Sequence, residues 1–144
     1  MELLSQLLIR NNITKERVQT LSPLVLAYVG DAIFEIFVRT LLIGNGEVKA
    51  GQLHKKSIAF VKAKSQAEFV RNITDNLSAE EAEIIRRGRN IKPASPPKNA
   101  DIMDYRYATG FEALIGYLYL KGSHERLLEI LELIISKKES VDSK

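Results

Sequence analysis

The sequence predicts a single all-α domain. Apolar residues recur at three- and four-residue intervals along most of the chain. Residues that start and stop helices punctuate these runs at helical lengths. No segment sustains the period-two alternation, bounded by turns, that a sheet needs. With 144 residues and 45% hydrophobic content the chain is long enough for one domain, residues 1–144, with its own core. No internal repeat and no inner domain boundary are visible.

The N-terminal stretch MELLSQLLIR has no basic leader, and Ser5 and Gln6 break its apolar run. It does not read as a secretory signal. No apolar run reaches the ~20 residues that span a bilayer, so the expected location is cytoplasmic. The chain has no Cys, which excludes disulfides and thiolate metal sites.

Ser22 followed by Pro23 reads as an N-cap and first helical position. Leu24, Ala27, Tyr28, Phe34, Val38, Leu41 and Leu42 continue at helical spacing, and Gly44 supplies a stop. After a loop from Gly44 to Gly51, LHKKSIAFVKAKSQAEFVRNI is amphipathic with a basic outer side. It reads either as one bent helix or as two short ones. Ser78 and Glu81 form a capping-box pattern that opens a helix through Ile91. KPASPPKN, residues 92–99, holds three of the four prolines and reads as a surface loop. A helix from about Asp101 to Lys121 follows, closed by Gly122. Ser123 caps a last helix expected to end near Lys137, leaving residues 138–144 as a polar tail.

Two acids stand where acids are costly. Asp31, in LAYVGDAIFE, shares its helix face with Ala27, Tyr28, Phe34 and Glu35. Glu112, in ATGFEALIGYLYL, has Ala108, Thr109, Ile115, Gly116 and Tyr119 nearby. Neither face offers a local cation. A buried carboxylate without a partner is costly and stays protonated unless something compensates. Mg²⁺ compensates well, because it takes one or two protein carboxylates together with waters and phosphate oxygens. Such an ion also suits phosphodiester hydrolysis. Gly30 and Gly116, next to these acids and inside helices, point to close approach of a second helix or a ligand backbone. The residues alone leave two readings open: a hydrogen-bonded structural acid, or a metal site on a helical domain.

The strings around the acids are more specific. LAYVGDAIFE resembles the signature segment of the ribonuclease III family, and FEALIGYLYL resembles its second acidic segment. LHKKS, KAKSQAE, RRGRN and PKNADIMDYRYATGFEALIGYLYL resemble the family's short Mini-III branch, over roughly residues 22–121. The resemblance implies a helical ribonuclease III catalytic-domain fold, a homodimer, and Mg²⁺-dependent cleavage of double-stranded RNA, with maturation of large-subunit (23S) ribosomal RNA as the biological role. It assigns Asp31 and Glu112 as the catalytic, metal-binding acids. Two family acids are missing: Ala27 stands four residues before Asp31, and Thr109 stands three before Glu112. This leaves open how many ions the site holds. Glu35 is read as structural or as supporting the site from behind. The double-stranded RNA-binding domain of the larger enzymes is expected to be absent, so the catalytic domain itself has to hold RNA.

The basic residues cluster accordingly. Residues 86–106 carry Arg86, Arg87, Arg89, Lys92, Lys98 and Arg106 against two acids, a net +4 where the whole chain has +3. Lys55, Lys56, Lys62 and Lys64 form a second run without an acid. These ten residues are the candidate phosphate contacts; the alternative is a solvated helix face. His54 and His124 fit neither a metal ligand nor a general base. Against the nuclease stand two other functions. One is a non-catalytic helical RNA-binding or ribosome-associated protein that keeps the fold. The other is a protein–protein adaptor, which leaves the clustered bases unexplained.

Overall fold

The computed structural model describes residues 2–92 and 101–142. Among them every regular element is helical: α1 (Glu2–Arg10), α2 (Lys15–Gln19), α3 (Pro23–Gly44), α4 (Ala50–Val61), α5 (Ala63–Ile73), α6 (Ala79–Arg89), α7 (Ile102–Lys121) and α8 (His124–Asp142), with a 3₁₀ turn at Thr74–Asn76. No described helix is long and apolar enough to cross a membrane.

The caps follow from local chemistry. Ser22 Oγ accepts the Val25 amide at the start of α3. Ser78 and Glu81 exchange the two bonds of a capping box, at 2.8 and 3.1 Å. Asp101 Oδ1 accepts the amides of Met103 and Asp104 at the start of α7. Gly122 ends α7 at φ 83°, a left-handed conformation that suits glycine.

Helix α7 runs through the middle of the molecule. It packs on α3, α5 and α6 and also touches α2 and α8. Its residues from Gly110 to Tyr119 are all buried except Glu112. Phe34 of α3, Phe69 of α5 and Phe111 of α7 form an aromatic cluster, with the Phe34 and Phe111 rings edge-on at 5.0 Å. Each such pair contributes roughly 0.5–1.5 kcal/mol beyond its burial.

Two glycine contacts set how closely the helices approach α7. A Cβ on Gly30 would overlap the Glu112 carbonyl and stand 2.8 Å from Gly116 N. A Cβ on Gly116 would overlap the Leu26 carbonyl in return. The Gly30–Gly116 contact is therefore backbone on backbone, which settles the partner these glycines admit as a second helix. Gly88 of α6 and Gly110 of α7 make a second contact: a Cβ on Gly88 would lie 2.7 Å from Gly110 Cα. This second pairing is not evident from the sequence.

Polar clamps hold the periphery. Arg126 of α8 reaches both oxygens of Glu81, at 2.7 and 2.8 Å, and the Asn76 carbonyl at 2.8 Å. Glu81 is only 6% exposed, and the Arg126 guanidinium holds its carboxyl below the usual range. The Tyr117 hydroxyl donates to Glu80 and accepts from Gln19, while Lys121 pairs with Glu80 at 2.7 Å.

Several expectations shift. The basic amphipathic stretch is two helices, broken at Lys62, whose backbone is extended at φ −65° and ψ 151°. Gly44 is the last helical residue of α3 and Asn45 is its cap. The last helix does not end near Lys137: α8 continues to Asp142. The expected proline-rich loop, from residue 93 onward, lies outside the described residues.

The glycine contact gives a first prediction. Gly30→Ala should destabilise the fold at or beyond the upper end of the ~1–3 kcal/mol typical of overpacked sites, because the atoms it meets are backbone and cannot rotate away. Gly51→Ala meets nothing within 4 Å and should gain ~0.5 kcal/mol from helix propensity. Thermal unfolding of both variants checks this; equal melting temperatures would refute the contact.

Candidate active site

The close crossing of α3 and α7 decides where Asp31 and Glu112 stand. Asp31 follows Gly30 directly, and Glu112 lies one turn before Gly116. Their carboxylates are near enough for the Asp31 charge to act on Glu112. Asp31 is on the exposed rim and Glu112 is half-buried. Among the described residues, no Lys, Arg or His forms an ion pair with either acid.

The electrostatics follow from this placement. Burial pushes the Glu112 carboxyl up to about 8, and the charges of Asp31 and Glu35 add to the effect. The Gln66 side chain opposes it by interacting with the Glu112 carboxylate. Asp31 is raised as well, first by desolvation and then by Glu35. Glu35 is half-buried and tethered by Arg39 at 3.1 Å, so its charge reaches both acids while its carboxylate is engaged elsewhere. Ala27 is buried, and the Thr109 hydroxyl donates to the Tyr105 carbonyl at 3.0 Å. Neither replaces a missing carboxylate.

The donor set fits a small, hard divalent ion. No three His, Cys, Asp or Glu side chains among the described residues converge into a ready-made cage. A structural zinc site needs such a set. Mg²⁺ does not, since two carboxylates suffice when water and phosphate complete its shell. Two neighbouring acids held above their ordinary range, with no protein cation to neutralise them, are an arrangement that such an ion relieves.

Gln66 is a buried polar residue near Glu112 that the sequence reading missed. The signal for it was a polar residue on the stripe Gln66, Phe69, Val70 and Ile73, which is otherwise the apolar face of α5.

The structure distinguishes among the basic candidates. Lys55, Lys62, Lys64, Arg87 and Lys92 are exposed. Lys56 is exposed but paired with Glu47 at 2.8 Å. Arg86 is held by both oxygens of Glu83, at 2.6 and 2.8 Å. Arg89 is half-buried over the Tyr107 ring, which Arg71 also covers. Arg106 is half-buried, with a buried Nε that has no hydrogen-bond partner. Lys98 lies outside the described residues. The two runs are thus unequal: the lysines near the α4–α5 break are the freer set.

Known proteins resemble this chain over the same region. Residues 24–123 match the family described as the Ribonuclease III domain. A protein named Mini-ribonuclease 3 from Thermoanaerobacter sp. (strain X514) is 53% identical over 123 residues, covering 85% of this chain and 87% of that one. One of the same name from Clostridium tetani is 51% identical, over 88% and 84% of the two chains. Among solved structures, a crystal structure of a protein from Fusobacterium nucleatum superposes with a TM-score of 0.75 at 33% identity, covering 84% of this chain and 97% of that one.

A pH dependence follows from Glu112. Its carboxyl titrates higher in the folded chain than in the unfolded one, so its contribution to stability is full below the ordinary value of 4.5 and is lost as pH rises through about 8. In EDTA, Glu112→Gln should melt several degrees above wild type at pH 8, and the gap should narrow steadily toward pH 4.5. Melting curves across that range check it; a gap independent of pH would show that Glu112 is not perturbed.

Proposed function

The chain belongs to the ribonuclease III family and is an endoribonuclease; from that premise we propose that it cuts double-stranded RNA with Mg²⁺ held by Asp31 and Glu112. The observation that carries this reading is the pair of uncompensated carboxylates at the Gly30–Gly116 crossing. When bound there, the ion would neutralise charge on the scissile phosphate and activate water. Asp31, on the rim, is open to substrate, while Glu112 anchors the site from its inner side. Glu35 adds negative charge behind both acids and so favours cation capture.

RNA recognition is assigned to the exposed bases. Lys55, Lys62 and Lys64, with Arg87 and Lys92, are exposed and would meet phosphates without reading sequence. A-form RNA, with its wide minor groove and 2′-hydroxyls, suits recognition by shape. The resemblance to the short Mini-III branch extends the reading to a 23S ribosomal RNA precursor as the natural substrate.

The reading includes a two-fold dimer. Cutting both strands of a duplex takes two sites facing it, which a symmetric pair supplies. The outer side of α3 is apolar where no described element covers it: Tyr28 is 80% exposed and Ile36 is 62% exposed. Beside it, Ile33, Ile36 and Phe37 of α3, Leu3 and Leu4 of α1 and Leu127, Leu128 and Leu131 of α8 line an apolar groove of about 390 Å³. A second copy covering this surface would bury it and set the two Asp31 residues on neighbouring helices.

Two experiments test these statements. Wild type should cleave long double-stranded RNA in Mg²⁺ and not in EDTA. Asp31→Asn and Glu112→Gln should each lower kcat by ~10²–10³-fold while leaving RNA affinity nearly unchanged. Lys62→Ala with Lys64→Ala should weaken RNA binding and flatten its salt dependence, by ~1 in slope for each phosphate no longer neutralised. Binding without cleavage by wild type would turn the reading to a non-catalytic RNA-binding protein. For the dimer, sedimentation at micromolar concentration should give twice the 16.2 kDa chain mass, and Ile36→Asp should shift it toward monomer. A monomeric wild type with full duplex-cutting activity would remove the dimer from the proposal.

A further inference from the structure

Two arginines from different helices meet at one aromatic ring. Arg71, in the last turn of α5, has its Cζ 5.6 Å from the centre of the Tyr107 ring. Arg89, the last residue of α6, has its Cζ 5.7 Å from the same centre. Tyr107 stands near the start of α7, five residues before Glu112. Elsewhere in this fold arginines are tightly engaged. Arg126 makes four hydrogen bonds of 2.7 to 3.0 Å, and Arg86 makes two of 2.6 and 2.8 Å. The pair at Tyr107 is not. Arg71 reaches Asp104 at 3.4 Å and Arg89 reaches Asn90 Oδ1 at 3.5 Å, and neither makes another hydrogen bond with the described residues.

A basic residue in the last turn of a helix offsets the helix dipole. That accounts for each arginine singly, but not for both lying against a ring on a third helix. Bringing two like charges together is unfavourable, and one acid, Asp104, faces the two of them. A clamp between helices would place a carboxylate where Tyr107 stands, as Glu81 does for Arg126. The ring does something else. It holds a guanidinium by its π face and leaves the N–H donors unspent. Those donors form a planar fork that matches the oxygens of a phosphate. The cluster also adjoins the exposed bases already assigned to RNA, since Arg87 and Lys92 stand two residues before and three after Arg89.

Resting on the reading of the chain as acting on double-stranded RNA, we propose that Arg71 and Arg89, held against Tyr107, form a binding site for a backbone phosphate of the duplex, at the ends of α5 and α6 and beside the helix that carries Glu112. The test measures affinity of the full chain for long double-stranded RNA in EDTA, across a salt series, with melting curves alongside. Arg71→Gln and Arg89→Gln should each weaken binding ~10-fold and lower the salt slope by ~1. Tyr107→Leu should weaken binding with no change of charge, and Arg71→Gln should cost less in that background than in wild type. Tyr107→Phe keeps the ring and should bind like wild type. In Mg²⁺ the cleavage lost by the arginine variants should return at saturating RNA, which a disturbed Glu112 would not allow. Wild-type affinity and slope in either arginine variant would overturn the shared site. An equal loss in Arg10→Gln, an exposed arginine of α1, would reduce the effect to net charge and overturn it as well. Failure of both arginine variants to fold would assign the cluster to the fold, with the same result. A wild type that binds no double-stranded RNA would defeat the reading of the substrate itself, and this proposal with it.

Discussion

Everything at the candidate site depends on a backbone-to-backbone contact between α3 and α7. Gly30 and Gly116 each occupy space in which a methyl group would meet the other helix's main chain. Two mid-helix glycines cost roughly 1 kcal/mol each relative to alanine. In exchange the axes approach closely enough for the residue after Gly30 and the residue one turn before Gly116 to share one electrostatic environment. The packing of the core and the placing of the acids are thus one constraint.

Two acids on the inner faces of this fold show opposite chemistry. Glu81 meets Arg126 through both oxygens and also accepts the Ser78 amide, and its carboxyl is held low. Glu112 faces Asp31 and Glu35 and is held high. Burial penalises both; what differs is the partner supplied. A satisfied acid ties elements together, while an unsatisfied one beside a second acid marks a candidate binding site. The match to the ribonuclease III family spans both acids, from α3 to α7.

Much of this was legible in the sequence, and the reasons are local. The caps at Ser22, Ser78 and Asp101 and the stop at Gly122 depend on neighbouring residues only, so their helices could be placed closely. Asp31 and Glu112 stood out because acids on apolar faces are rare. Other features depend on groups distant in sequence. Gly88 reads as an ordinary glycine until Gly110 is found against it. Gln66 reads as an amphipathic outlier until α7 brings Glu112 beside it. Arg86 is a local exception: it reads as a free cation although Glu83, one turn before it, accepts from its Nε and Nη2. Helices α1 and α2 are not legible as elements, because nine- and five-residue segments carry too few turns for periodicity to speak.

The central position of α7 has a consequence for how the molecule breathes. A helix packed on α3, α5 and α6 and touching α2 and α8 cannot separate from one neighbour without disturbing the others. Its amide hydrogens should therefore exchange with solvent only when the whole domain opens. Helix α4 rests chiefly on α3 and α5, has Ser57 as its one buried residue, and starts without a side-chain cap. Its amides are the ones expected to exchange by partial opening. The rigid helix carries Glu112, and the looser one carries Lys55 and Lys56 and stops at Val61, just before Lys62.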